Sequence, residues 1–300
     1  MMACLFCVVA CSENTMFEKE LYKKVFSIIS SDTYNIFAEE IDLAEEDPWG
    51  CVSASLGGTT SADKDIVVSF VEDRDLFDRY NRGSFDVETS RYAQLLDTSR
   101  YHIADYHLTI PAGERNGTMK ITLRPEGLSP DSTYLISLKV DEHTNYELNP
   151  DKCDILYRVY IKNFWASQKT ITNYTLRGVH GPENESIYGV KRMHPLTRNS
   201  VRVIAGTLAF EEVAGRIATN CIILEIADDG HVSVKPYGSI QIEQIDDDPD
   251  YPNRYFIEDD GFRTFKTFLL HYKYKAPGML DFVESREELR IEFKPITEIK

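Results

Sequence analysis

The chain has 300 residues, a net charge of −16 and a pI near 4.9. That balance excludes partners bound through clustered Lys and Arg, namely nucleic-acid phosphates and anionic lipid surfaces. Hydrophobic residues make up 42%, enough for a packed core, and aromatics at 11% suit both pleated sheets and ligand-stacking surfaces.

The chain opens MMACLFCVVACSEN. This apolar run is too short for a membrane-spanning helix, which needs about 20 residues. Leu5 to Val9 supply the apolar middle of a secretory signal and Ala10 its small residue, although no Lys or Arg precedes Leu5. Val8-Val9-Ala10-Cys11 resembles a bacterial lipobox. Lipidation is therefore expected at Cys11, which would become the first residue of a mature protein held at the membrane by acyl chains. Ser12-Glu13 resembles a reduced form of the acidic export tag of Bacteroidetes surface lipoproteins. Cys4 and Cys7 would leave with the leader. The competing reading is a buried N-terminal strand over Leu5 to Val9. The widely spaced Cys51, Cys153 and Cys221 read as free thiols rather than a disulfide framework.

Residues 1–20 are thus expected to be signal and tether. From Val25 onward short alternating runs dominate. In "EDRDLFDRYNRG" the periodicity changes: Leu76, Phe77 and Tyr80 share a helical face, with Asp73 as cap and Gly83 as stop. Met119, Ile121 and Leu123 alternate with polar residues, as do Tyr134, Ile136, Leu138 and Val140, and then Ile155, Tyr157, Val159 and Ile161. Gly127 to Asp131 reads as a connection between strands. Alternation lapses over "FWASQKTITN" and the following "RGVHGPENES". It resumes with Ile222, Leu224 and Ile226, an Asp229-Gly230 hairpin signal, and Val232 and Val234. Phe268 to Tyr274 and Leu289 to Phe293 supply the last strands. The fold class is all-β: an Ig-like β-sandwich over residues 21–164 with one inserted helix, and an antiparallel β domain over 165–300.

"DKDIVVSFVEDRDLFDRYN" and "HLTIPAGERNGTMKITLRPEGLSPDSTYLISLKV" resemble the N-terminal β-sandwich domain of Bacteroidetes surface lipoproteins. That family is named for an endoglycosidase whose N-terminus carries it. The second half, from "IYGVKRMHPLTRNSVRV" to "DPDYPNRYFIEDDGFRTFKTFLLHYKYK", resembles the uncharacterised C-terminal domain that often follows it. The resemblance implies an exported lipoprotein encoded with glycan-uptake machinery, and glycan binding. It carries no catalytic residue set.

No nucleophile elbow, zinc-protease helix or phosphate-binding glycine loop is present, and the seven histidines are scattered. Asp246, Asp248 and Asp250 form a weak calcium candidate that lacks the turn glycine and terminal Glu; a solvated loop is favoured. No cofactor is expected. Glycan binding needs exposed aromatic faces, and the loop aromatics are the candidates: Trp49 after Pro48, and Tyr251 and Tyr255 with Arg254 beside the acidic run; the competing reading of Tyr255 is the start of a strand with its ring in the core. The reading is a non-enzymatic, outer-membrane-anchored, surface-exposed glycan-binding lipoprotein. Its partners would be a glycan and outer-membrane uptake proteins, with no nucleic acid. A fimbrial or adhesin-type subunit and an accessory, weakly hydrolytic part of a glycoside hydrolase system are the alternatives.

Overall fold

The computed structural model describes residues 23–211 and 213–294. The leader, with Cys4, Cys7 and Cys11, lies outside the described residues. The chain divides into two compact units. The first gathers residues up to Ala38, Trp49–Leu123 and Leu135–Arg158. The second gathers Glu39–Pro48, Arg124–Tyr134 and everything from Val159 onward. The chain therefore crosses between units several times, where the sequence suggested one changeover near residue 164.

Strands β1 (Val25–Ile28), β2 (Ile36–Asp42), β3 (Trp49–Leu56) and β4 (Ile66–Glu72) precede helix α1 (Asp75–Phe85). Then come β5 (Gln94–Leu95), β6 (Tyr101–His102), β7 (His107–Ile110), β8 (Asn116–Leu123), β9 (Tyr134–His143), β10 (Glu147–Leu148) and β11 (Asp154–Lys162). One sheet runs β10-β1-β3-β8-β6 and the other β2-β11-β9-β4-β7, with β5 added on β9. Alternation decides which face is buried. Val52, Ala54 and Leu56 on β3, and Met119, Ile121 and Leu123 on β8, are buried, while Ser53, Thr118 and Lys120 point outward. Each such Val, Leu or Ile contributes about 1.5–3 kcal/mol by leaving water. Gly117 marks a close approach: a Cβ there would lie 2.2 Å from the Thr109 carbonyl oxygen of β7.

Helix α1 buries Leu76, Phe77 and Tyr80 as its spacing predicts, against Ala93, Leu135 and Leu156. Two details differ from expectation. Arg74, not Asp73, precedes the helix, and Asp73 Oδ2 instead accepts from the Asp75 N–H at 3.2 Å. Gly83 does not stop the helix but lies within it. A Cβ at that position would meet the Tyr34 hydroxyl at 1.9 Å, so close packing rather than termination explains it.

The second unit contains β12 (Thr172–His180), β13 (Glu185–Thr197), β14 (Ser200–Ile204), α2 (Ala214–Asn220), β15 (Cys221–Ile226), β16 (Val232–Pro236), β17 (Gln241–Gln244), β18 (Arg254–Asp259), β19 (Thr264–Lys275) and β20 (Val283–Phe293). They follow the order β16-β15-β14-β13-β12-β20-β19-β17, with β18 also paired to β19. The sheet curls into a near-barrel. Its seam is drawn together by Val232 N–H donating to Asn253 O and Tyr255 N–H donating to Gly230 O, each at 2.8 Å. The "RGVHGPENES" stretch, where alternation lapses in the sequence, forms the end of β12, the start of β13 and the tight turn between them. The Asp229-Gly230 hairpin is present, pairing Ile226 with Val232, with Gly230 at φ +84°. Helix α2 has no counterpart in the sequence reading.

The barrel interior is apolar apart from one buried network. Lys191 donates to Glu287 Oε2 at 2.6 Å and to the Ile204 carbonyl at 2.9 Å. Glu287 Oε1 accepts from the Tyr272 hydroxyl and from Ser285 Oγ, each at 2.8 Å. Burial holds the Lys191 amine below its ordinary pKa, while Glu287 opposes that fall. On another face, Arg202 is wholly buried and forms a two-pronged ion pair with Asp131, at 2.5 and 2.6 Å. The Gly127 to Asp131 connection thus anchors a strand of the barrel. Asn163 fastens the start of this unit. Its Oδ1 accepts from the Trp165 and Ala166 N–H groups, and its Nδ2 donates to the Thr197 and Ser200 carbonyls.

Candidate functional site

Trp49 begins β3 rather than occupying a turn, and its side chain is 54% exposed. Register explains what surrounds it. Trp49 pairs with Thr122, Cys51 with Lys120, Ser53 with Thr118 and Ser55 with Asn116. Thr122 pairs in turn with His102 of β6. Directly paired residues share a face, so one outer sheet face carries a tryptophan among hydroxyl, amide, imidazole and ammonium groups. Lys120, diagonal to Trp49, brings Nζ within 5.5 Å of the indole ring centre. An ammonium at that distance is attracted by the ring quadrupole. A large apolar ring on an otherwise polar, solvent-facing sheet surface adds nothing to the core. Such exposure is the informative exception to apolar burial.

The C-terminal candidates are placed differently. Tyr255 lies on β18 and packs against the barrel core. Its ring centre is 4.9 Å from that of Phe268 and 5.6 Å from that of Trp165. Burial pushes its hydroxyl pKa up to about 12. The expectation of an exposed ring face at Tyr255 is corrected: its pairing opposite the buried Phe268 of β19 turns it inward. Trp165 packs against the same core. Tyr251 is half-buried, its N–H donating to Asp248 Oδ1 at 3.2 Å. Arg254 is exposed, and its guanidinium donates to the Asp229 carbonyl beside the barrel seam. These residues do not converge on a binding surface.

The acidic run is closed by the protein's own cations. Asp248 Oδ2 lies 2.9 Å from Arg286 Nε and 3.0 Å from His271 Nδ1. Its Oδ1 accepts from the Asp250 and Tyr251 N–H groups. Burial works against the Asp248 charge, but those N–H groups and the Arg286 guanidinium hold its carboxyl below the usual range. Asp246 Oδ1 accepts from Asn253 Nδ2 at 3.0 Å. The Asp246 and Asp248 carboxylates therefore serve the loop, and Asp250 enters it through its N–H. Among the described residues, no group of three His, Cys, Asp or Glu side chains could hold a metal ion. No helix among them is long and apolar enough to cross a membrane.

Two family models match the sequence, one an N-terminal domain over residues 17–147 and the other its C-terminal counterpart over residues 153–290. The chain belongs to this two-domain family. It agrees with the two-domain family suggested above. No curated protein matches the sequence. Among solved structures, a Bacteroides ovatus protein of unknown function is similar to the family fold seen here, with a TM-score of 0.64 at 15% identity, covering 96% of this chain and 97% of its own. A multidomain protein from Bacteroides ovatus gives 0.63 at 12%, covering 89% and 94%. An auxiliary nutrient binding protein from Bacteroides thetaiotaomicron gives 0.58 at 13%, covering 88% and 94%. At these identities the likeness is one of fold.

Sequence reading singled out Trp49 but missed Ser53, His102, Thr118, Lys120 and Thr122 beside it. Their alternation is visible along each strand. Their meeting depends on the pairing of β3 with β8 and β6, which links residues far apart in the chain.

Proposed function

We propose that this family member is a non-catalytic glycan-binding lipoprotein, lipidated at Cys11 and displayed at the outer membrane with glycan-uptake proteins. The observation that carries the binding function is the half-exposed Trp49 on a polar sheet face. An indole face takes the C–H face of a pyranose, while Ser53, Thr118 and Thr122 hydroxyls and the His102 ring meet sugar hydroxyls. Lys120 lies over the ring, so a glycan approaches from the side that Lys120 leaves open. The fold is shared with a protein described as an auxiliary nutrient binding protein, which agrees with this reading.

One stacked ring contributes about 0.5–1.5 kcal/mol beyond the area it buries. Affinity is therefore modest and depends on several contacts along a chain. The net charge of −16 favours neutral or basic glycans, its reach limited to about 10 Å at ordinary salt. The deciding experiment is affinity electrophoresis in gels containing neutral polysaccharides. Retarded migration that Trp49→Ala removes, with an unchanged melting temperature, is expected. Retention equal in the variant would overturn the site. For the anchor, Cys11→Ala should move the protein from the membrane pellet to the soluble fraction; unchanged pelleting would overturn lipidation.

A further inference from the structure

The first unit contains a cleft of about 460 Å³ with no role in the Trp49 surface. It forms where the chain leaves and rejoins β9. Asp73 N–H donates to the Ser137 carbonyl at 3.2 Å, and Leu96 N–H donates to the Leu135 carbonyl at 2.8 Å. Carbonyls two residues apart point to the same strand edge. The chain thus departs that edge after β4, makes α1, and returns at β5, leaving a gap between departure and return. Leu95, Leu96, Leu135 and Ile136 give the gap an apolar floor.

Polar groups converge on this floor. Glu72 Oε1 accepts from the Tyr101 hydroxyl at 2.5 Å and from the Tyr106 hydroxyl at 2.8 Å. Two phenols thus hold the carboxylate in one orientation through a single oxygen. Arg74 stands on the rim, its guanidinium 5.9 Å from the Phe77 ring centre. Asp73 and Asp97 also line the cleft. Ser137 lines it too, is only 5% exposed, and its Oγ has no hydrogen-bond partner among the described residues. A buried hydroxyl without a partner costs stability, and native structures rarely keep one without a use. An apolar floor with a few fixed polar groups is the usual build of a small-ligand site.

We infer that this cleft binds a single neutral or amino sugar ring, as a second subsite of the glycan-binding function proposed above. The apolar floor takes the C–H face of the ring. Glu72, fixed by its two tyrosines, accepts from ring hydroxyls, and Arg74 and Ser137 bind the remaining oxygens. Glu72, Asp73 and Asp97 outnumber Arg74 and so repel uronic and sulfated sugars.

The test is saturation-transfer NMR and titration on the full chain. The probes are the methyl glycosides of glucose, mannose and galactose, plus glucosamine and glucuronate. At least one neutral or amino sugar should bind, and glucuronate should not. Glu72→Gln should weaken binding about tenfold, the worth of a charge-assisted hydrogen bond. Ser137→Ala should weaken it about threefold without lowering the melting temperature, since it removes an unsatisfied hydroxyl. Lack of any monosaccharide binding, preference for glucuronate, or full affinity in both cleft variants would overturn the cleft. If polysaccharide retention then still depends on Trp49, the glycan-binding reading stands without the cleft. Monosaccharide binding that the cleft variants abolish, beside polysaccharide retention indifferent to Trp49, would instead remove the Trp49 surface alone.

Discussion

Lys191 and Glu287 face each other across 2.6 Å inside the barrel, the two side chains 2% and 0% exposed. Neither charge reaches water, and every oxygen of Glu287 is occupied by Lys191, Tyr272 or Ser285. Breaking such a pair by removing one partner costs about 3–5 kcal/mol, because an uncompensated charge stays buried. Lys191→Met should therefore lower stability by that amount in denaturant titration. Adding Glu287→Gln, which keeps an acceptor for Tyr272 and Ser285, should recover most of the loss. A double variant no more stable than Lys191→Met would refute this view of the network.

Arg202 depends on Asp131 in the same way, with 0% of its own side chain exposed. Asp131→Ala should cost about 3–5 kcal/mol. The same pair bears on the division of the chain. A fragment starting at residue 159 lacks Asp131 and should melt below the full chain's second unit. Adding the 124–134 peptide should raise its melting point; no response would show that the segment is dispensable.

Tyr255→Ala separates packing from binding. Its ring packs on Phe268 and Trp165, so truncation should cost roughly 3 kcal/mol, at the low end for a buried aromatic. Polysaccharide retention per folded molecule should be unchanged. Lost retention with an unchanged melting temperature would return Tyr255 to the binding site.

The Asp248 and Glu284 carboxyls both sit below their usual range. Loop N–H groups and Arg286 outweigh burial at Asp248, and the hydrogen bond with His271 comes first at Glu284. A carboxylate with a depressed folded pKa adds stability that is complete above its unfolded value of about 4 and is lost as pH falls through the folded value. Melting temperature should thus drop on acidification below about pH 4. Asp248→Asn should be less stable at neutral pH, with the gap closing in acid. A gap independent of pH would contradict this.

The strands were legible because alternation is local: Met119, Ile121 and Leu123, or Phe268 and Leu270, announce a buried face without reference to any partner. Helix α1 was legible for the same reason. Gly83 misled because a glycine demanded by the nearby Tyr34 hydroxyl looks, in sequence, like a glycine that ends a helix. The hairpin at "RGVHGPENES" was not legible because the turn of a long hairpin has the composition of a linker. The candidate site was half legible. Trp49 stood out by chemistry, but its neighbours are set by strand register. Tyr255 could not be separated from a loop tyrosine, since β18 is defined by its pairing with β19 rather than by its own alternation.

The Asp131–Arg202 pair also constrains the order of events as the protein is made. Asp131 emerges 71 positions before its partner, and the intervening stretch includes β9 and β11. The barrel therefore cannot close as its residues appear. An early piece of it must wait while other strands are completed, and be captured when β14 arrives. Such distant pairing is slow, because loop closure precedes any reward from the contact. Capture at β14 still leaves β15 to β20 to be added, so the second unit locks only when its last strand, β20, pairs with β12.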